Sequence, residues 1–474
     1  MNRQIRLVMM IFLWIVVLVA AIVVLDASET KQEVSNVEFR NSPPTDVKIV
    51  SISNDYGDIL IDYMDGGYII GDVPIDVVDM ERFVDMMTNS AAVYAVTAIK
   101  NPDSLERYGF DDNASSVYIE YLDRQSISMF IGNYEPISKG YYCSIEGQAG
   151  IYLFEEQRIS AFLQPENYYI NRYVTPPVPE QSQSSLGHVL GIKFAGGMLE
   201  EPIVLKPVVQ NDEQSMLDII SFGSATHLIE INNMNHRVDQ RYAQSVFDSI
   251  LGLTATDIVD YNLTKEQMDA FGFSSPDMQV IFDYREALDV GPVIYKVSIV
   301  EKNGEFYADC NERGVIYRIE PPLFYAVELE KFPVRWFFSP LLFDLDELEI
   351  ISGNQTYLFE LSGSTNADLA VKCNGEKFDL NRFRRLYKLM TSAAHDNTMR
   401  EQMDTSGQPV LEITYRYRNV DKQEDTLKLY PAEARRQYAS VNGLTEFTIK
   451  EQFNVRVSQA LDVLFTQEAF EIEW

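Results

Sequence analysis

Hydrophobic positions along the chain fall into three kinds of pattern. Leu7 to Leu25 is an unbroken apolar run, and a bilayer core about 30 Å thick needs roughly 20 helical residues to cross it. Further on, strict alternation such as Val117, Ile119 and Tyr121 marks half-buried strands. Between such strands lie stripes at helical period. Counted forward from the aspartates Asp76, Asp239 and Asp379, taken as N-caps, apolar residues recur at matching steps. They are Met80, Phe83, Val84 and Met87, then Ala243, Val246, Phe247 and Ile250, then Phe383, Leu386, Tyr387 and Met390. A stripe of this spacing is the face a helix lays against a core.

The recurrence extends beyond the helices. Leu105-Glu106-Arg107-Tyr108-Gly109-Phe110 with Val117 to Tyr121 matches Met268-Asp269-Ala270-Phe271-Gly272-Phe273 with Val280 to Tyr284 at a constant offset. Tyr142 and Tyr152 match Tyr307 and Tyr317, and a shorter third copy sets Leu411 to Tyr415 for the strand and Tyr438 to Phe447 for the tyrosine pair. Before each helix a hairpin-like stretch is expected: Gly57 to Tyr63 turning at Asp65-Gly66-Gly67 into Tyr68 to Ile70, and Thr356 to Leu361 with Leu369 to Val371. Each copy therefore reads strand, strand, helix, two or three more strands, and a closing helix or turn. Those turns fall near Glu155 to Leu163, Pro321 to Leu329 and Gln452 to Leu464.

The fold class expected is α+β: an N-terminal transmembrane helix, then three tandem α+β repeats, each a mainly antiparallel sheet with a covering helix. The boundaries follow from punctuation. Residues 1–30 are a cytoplasmic tip and the spanning helix, 31–45 a stalk, 46–175 the first repeat, 176–185 a proline and serine linker, 186–340 the second repeat and 341–474 the third. The segment Phe332 to Pro340 is aromatic and expected to pack, tying the second and third repeats together.

Arg3 and Arg6 precede the apolar run while Asp26 and Glu29 follow it, so the positive-inside bias puts the N-terminus in the cytoplasm and the rest outside. A cleaved signal peptide is the competing reading. The length of the run and the poor cleavage site at Leu25-Asp26-Ala27-Ser28 weigh against it. With 71 acidic against 39 basic residues the formal charge is −32, which repels nucleic acid. Three cysteines, Cys143, Cys310 and Cys373, cannot all pair within one chain and have no zinc-ligand spacing.

Candidate chemistry is sparse. Nucleophile-elbow, Walker, H-E-x-x-H and EF-hand patterns are absent. His188, His227, His236 and His395 are far apart in sequence and read as surface or turn residues. The carboxylates Asp344, Asp346, Glu347 and Glu349 alternate with Leu345 and Leu348, the pattern of a solvated strand or helix face, with calcium binding as the minor alternative. Gly66-Gly67 and Gly196-Gly197 read as turns rather than phosphate loops, and Tyr142, Tyr307 and Tyr438 as packed strand residues before groove residues. No catalytic, cofactor-binding or metal-binding residue is assigned, and no cofactor is expected.

The pattern resembles a bacterial family known as domain of unknown function 4340. The residues that carry the likeness are Tyr108 to Phe110, Phe130-Ile131-Gly132, the turn from Tyr141-Tyr142 through Gly147 to Tyr152, and the exits at Arg172 and Arg335. The second copy lacks the Ile-Gly step. The resemblance implies a membrane-anchored exported protein that accompanies ABC-type transporters, and no catalytic residues. The function expected is a non-catalytic extracytoplasmic accessory or scaffold of a membrane complex, whose partners are the bilayer and a membrane protein. A cell-envelope glycan hydrolase or a surface adhesin are the alternatives.

Overall fold

The computed structural model describes residues 37–64, 67–99, 102, 104–111, 114–182, 184–208, 226–231, 234–365, 368–397, 403–418 and 423–474. The apolar run Leu7–Leu25, residues 31–36 of the expected stalk and the turn Asp65-Gly66 lie outside these residues. Among the described residues, no helix is long and apolar enough to cross a membrane.

Three antiparallel sheets dominate. The first runs in the order Gly67–Ile70, Gly57–Met64, Val47–Asn54, Ser115–Tyr121, Ser126–Glu135, Gly140–Ile145, Ile151–Glu155, Thr97–Ile99. The second runs Met234–Arg237, His227–Ile231, Ile203–Pro207, Val189–Ala195, Met278–Tyr284, Val293–Lys302, Glu305–Cys310, Ile316–Ile319, Ala255–Asp260. The third runs Glu376–Lys377, Ala370–Cys373, Gln355–Ser362, Leu345–Ser352, Leu411–Tyr417, Glu424–Pro431, Arg436–Val441, Leu444–Lys450. A two-stranded ribbon joins Val37–Asn41, within the expected stalk, to Ala92–Ala95.

Each sheet has one plan. A first meander runs outward from the centre, the chain returns through a helix, and a second meander starts beside the first strand of the first. The central pair carries a register shift at the same place in every sheet, between Val47 and Ile49, between Val189 and Ile192, and between Leu345 and Glu347. A bulge conserved in position bends and twists the strand locally.

The α+β expectation, with a helix covering each repeat, is overturned, because 43% of the described residues are strand and 22% helix. The returning helices Met80–Ala91, Gln240–Ile250 and Leu380–Met390 are short rods. A rod about 10 Å across covers two or three strands, whereas eight strands about 4.8 Å apart span roughly 34 Å. Strands are undercounted in sequence because pieces such as Thr97–Ile99 and Glu376–Lys377 are too short to show alternation.

The first helix also starts elsewhere. Its N-cap is Asp79, whose side chain accepts from the Arg82 N–H, rather than Asp76. The buried face is Phe83, Met86, Met87 and Ser90, while Met80 and Val84 are exposed. Asp239 and Asp379 do cap their helices. Counted from Asp79, the three stripes coincide at the same steps.

The described chain divides into two compact units. One holds the residues up to Arg172 with Ile258–Leu263 and Arg313–Val315, and the other Tyr173–Asp257, Thr264–Glu312 and Ile316–Trp474. In the second unit Phe332, Pro333, Phe337 and Phe338 are buried. The Val334 N–H donates to the Arg237 carbonyl (2.9 Å) and the Phe337 N–H to the Ala393 carbonyl (3.0 Å), so the aromatic segment bonds to an edge strand of the second sheet and to the turn after the third sheet's helix.

Candidate functional site

On the third sheet, one face of three adjacent strands is polar at period two. Leu411–Tyr417 presents Glu412, Thr414 and Arg416, with Leu411, Ile413 and Tyr415 buried on the other side. Antiparallel register sets Arg416 opposite Glu347 and Glu424, Thr414 opposite Glu349 and Thr426, and Glu412 opposite Lys428. The charges pair accordingly. Arg416 Nη1 donates to Glu347 (2.9 Å), Nη2 to Glu349 (2.7 Å), and Nε lies 3.5 Å from Glu424. Lys428 Nζ lies 3.0 Å from Glu412, and the Thr414 and Thr426 hydroxyls are 3.3 Å apart. The paired carboxylates raise the Arg416 pKa, the hydrogen bond to Glu349 most of all.

This face is the floor of a cavity of about 700 Å³, within the size range of small-molecule sites. Its walls include Asn235, His236, Trp336, Phe337, His395 and Phe447. Trp336 stands in the segment whose backbone is fixed on both sides: it bridges Ala394, and the His395 N–H donates to the Arg335 carbonyl at 2.9 Å. Its indole is 48% exposed on this fixed backbone. The His395 ring stacks on Phe447 at 4.2 Å between centroids, and His236 meets the same ring edge-on at 6.0 Å. Burial pushes His395 down to about 4, with Arg335 and His236 acting in the same sense, while the Val334 carbonyl and Asp396 oppose. Its Nδ1 accepts from the Asn397 N–H at 3.2 Å.

Two of the histidines depart from the surface or turn positions expected, while His188 lies in a turn. His227 and His395 are buried rather than superficial. His227 bonds the Val189 carbonyl through Nε2 at 2.9 Å, and burial lowers its pKa. His188 bonds the Arg285 carbonyl at 2.8 Å. Of the four carboxylates near Asp344, only Glu347 and Glu349 meet at Arg416; Asp344 closes a single helical turn and Asp346 is exposed. Among the described residues no cluster of His, Cys, Asp or Glu has the geometry of a metal site. The three cysteines are buried free thiols.

The repeated tyrosines pack. Tyr142 meets Tyr108 edge-on at 4.9 Å, and Tyr307 meets Phe271, the residue matching Tyr108, at 5.2 Å. Their hydroxyls donate to Glu135 and Glu305, each at 2.6 Å, which pushes Tyr142 up to about 12. Tyr438 is half-buried in the third sheet. The glycine motifs meet each other: a Cβ at Gly132 would fall 2.1 Å from the Tyr108 carbonyl, and one at Gly109 (φ +86°) 2.6 Å from the Asn133 nitrogen. Gly196, with φ +137°, is a turn packed on Asp277.

Comparison of the chain with protein-family models, curated proteins and solved structures finds no match.

Proposed function

We propose that the protein is a non-catalytic, membrane-anchored extracytoplasmic component that scaffolds or assists a membrane complex such as an ABC-type transporter. The apolar run Leu7–Leu25 and the resemblance to domain of unknown function 4340 support the anchoring and the partner class. The observation that carries the non-catalytic reading is the state of the cavity floor, where Glu349 and Glu424 share Arg416 and Glu412 is paired with Lys428. Carboxylates engaged by fixed cations along one strand face hold structure and offer hydrogen bonds rather than flanking a scissile bond.

A glycan hydrolase is the second reading, favoured by the same pair. Contact with one guanidinium keeps Glu349 and Glu424 within about 10 Å of each other, the upper end of the span that glycosidases use. Against it, both carboxylates contact one guanidinium on a single strand face rather than facing each other across a cleft. Purifying the tagged full-length protein from its native membrane in mild detergent, against an anchor-only control, separates the two. Specific recovery of a transporter subunit supports the scaffold. Absence of any membrane partner, together with cleavage of an envelope glycan that Glu349→Gln abolishes, would replace it with the hydrolase.

A further inference from the structure

We infer that the cavity of the second unit is a binding site for a neutral oligosaccharide, with Trp336 as its stacking platform. This rests on the lining of the cavity and not on the transporter reading.

The charge of the floor narrows the ligand. Three carboxylates, Glu349, Glu412 and Glu424, line it against two cations, Arg416 and Lys428, while Glu347 holds Arg416 from outside the lining, so an anion meets a net negative field. A donor-only amine fares no better, because the carboxylates it would seek already hold Arg416 and Lys428 as partners. What the floor offers instead is a dense alternation of donors and acceptors: guanidinium, ammonium, two threonine hydroxyls and carboxylate oxygens. A ligand that both donates and accepts at many points, without charge, matches that surface. Sugar hydroxyls do so.

The wall supplies the second requirement. Trp336 is half-exposed beside this polar floor, and its backbone is held through the Ala394 bridge and the Phe337 N–H bond to Ala393. A rigid aromatic face next to hydrogen-bonding groups suits the C–H face of a pyranose ring, whose rim carries the hydroxyls. A cavity of about 700 Å³ accommodates about three sugar rings. An extended peptide is the weaker fit, because the floor strands Leu411–Tyr417 and Glu424–Pro431 are paired on both sides and the edge strands at the walls, Met234–Arg237 and Leu444–Lys450, already bond to Val334 and Asp396.

The test is calorimetric titration of the full-length protein in mild detergent with maltotetraose, cellotetraose and chitotetraose, alongside tetra-alanine and spermidine. Saturable binding of at least one tetrasaccharide is expected, with the sugar recovered intact. Trp336→Ala should weaken it at least about tenfold, and Glu412→Gln, which keeps the shape of the floor and removes a charged acceptor, about threefold or more. Circular dichroism of both variants confirms that they fold, and Trp336 is exposed enough for truncation to leave the core intact. The inference is overturned if no tetrasaccharide saturates below about 10 mM, if Trp336→Ala binds as tightly as the parent, or if tetra-alanine or spermidine binds more tightly than every sugar.

Discussion

Replacing His395 by phenylalanine should convert a pH-sensitive stability into a flatter one. In the folded protein this imidazole is 2% exposed and stacked on Phe447, and burial lowers its pKa from 6.5 to about 4. In the unfolded chain it titrates near 6.5. Between these values the unfolded state binds the proton and the folded state does not, so stability rises with pH across the window and is lost as pH falls through it. The difference of about 2.5 units corresponds to about 3 kcal/mol between pH 7 and pH 4. Solvent screening takes little from this figure because the ring is nearly inaccessible.

Phenylalanine keeps the stack on Phe447 but loses the acceptor for the Asn397 N–H, a pH-independent cost of about 1 kcal/mol. The parent should therefore be the more stable protein at pH 7 by about 1 kcal/mol and the less stable at pH 4 by about 2 kcal/mol, with the curves crossing near pH 6. Urea unfolding followed by tryptophan emission reads this from the second unit, where Trp336 and Trp474 lie. Subtracting the variant curve removes the carboxylates, which titrate alike in both proteins. A parent-minus-variant difference that stays constant within about 0.5 kcal/mol from pH 7 to pH 4, or a His395 resonance that titrates near 6.5, refutes the account.

Three further outcomes test the packing. Gly132→Ala should cost about 2–3 kcal/mol in thermal or urea melts, because its Cβ must displace the Tyr108 carbonyl, whereas Gly443→Ala, with open space around it, should cost about 1 kcal/mol for its positive φ alone. Met86→Ala should cost about 2–4 kcal/mol and Val84→Ala less than about 0.5 kcal/mol, since the first is fully buried and the second half-exposed. Arg416→Met leaves Glu347, Glu349 and Glu424 facing one another, and with these partly exposed groups should lower stability by about 1–2 kcal/mol, a loss that added salt reduces.

The contrast between Met86 and Val84 also shows where periodicity misleads. Asp76 and Asp79 lie three residues apart, close to one helical turn, so either start leaves Phe83 and Met87 on the apolar side. Composition does not choose between them. The structure chooses Asp79 because its carboxylate reaches the Arg82 N–H. The residue facing the core at the last step is then Ser90, whose hydroxyl is satisfied by the Met86 carbonyl at 2.9 Å. A buried serine in an apolar stripe pulled the alignment one turn toward the N-terminus. Sheet size was hidden for a similar reason: the central strands alternate visibly, while the short edge strands that widen each sheet carry too few residues to show a period.

The cavity illustrates a different limit. Half of it was readable, since Glu412, Thr414 and Arg416 alternate with Leu411, Ile413 and Tyr415, and Glu424, Thr426 and Lys428 repeat the period on the next strand. Two neighbouring strands with charges of opposite sign at matching steps already imply a paired polar face. What converts that face into a site is long-range: Trp336 arrives from the segment leading into the third sheet, His395 from the loop after its helix, and Phe447 from its last strand. The burial of His395 is hidden for the same reason, because separation along the chain says nothing about a shared ring partner. His236 comes from an edge strand of the second sheet and His395 from the loop after the third sheet's helix, and both rest on Phe447. A site assembled by packing two sheets through one aromatic segment leaves no local motif, and only the aromatic density of Phe332 to Pro340 marks where the pieces meet.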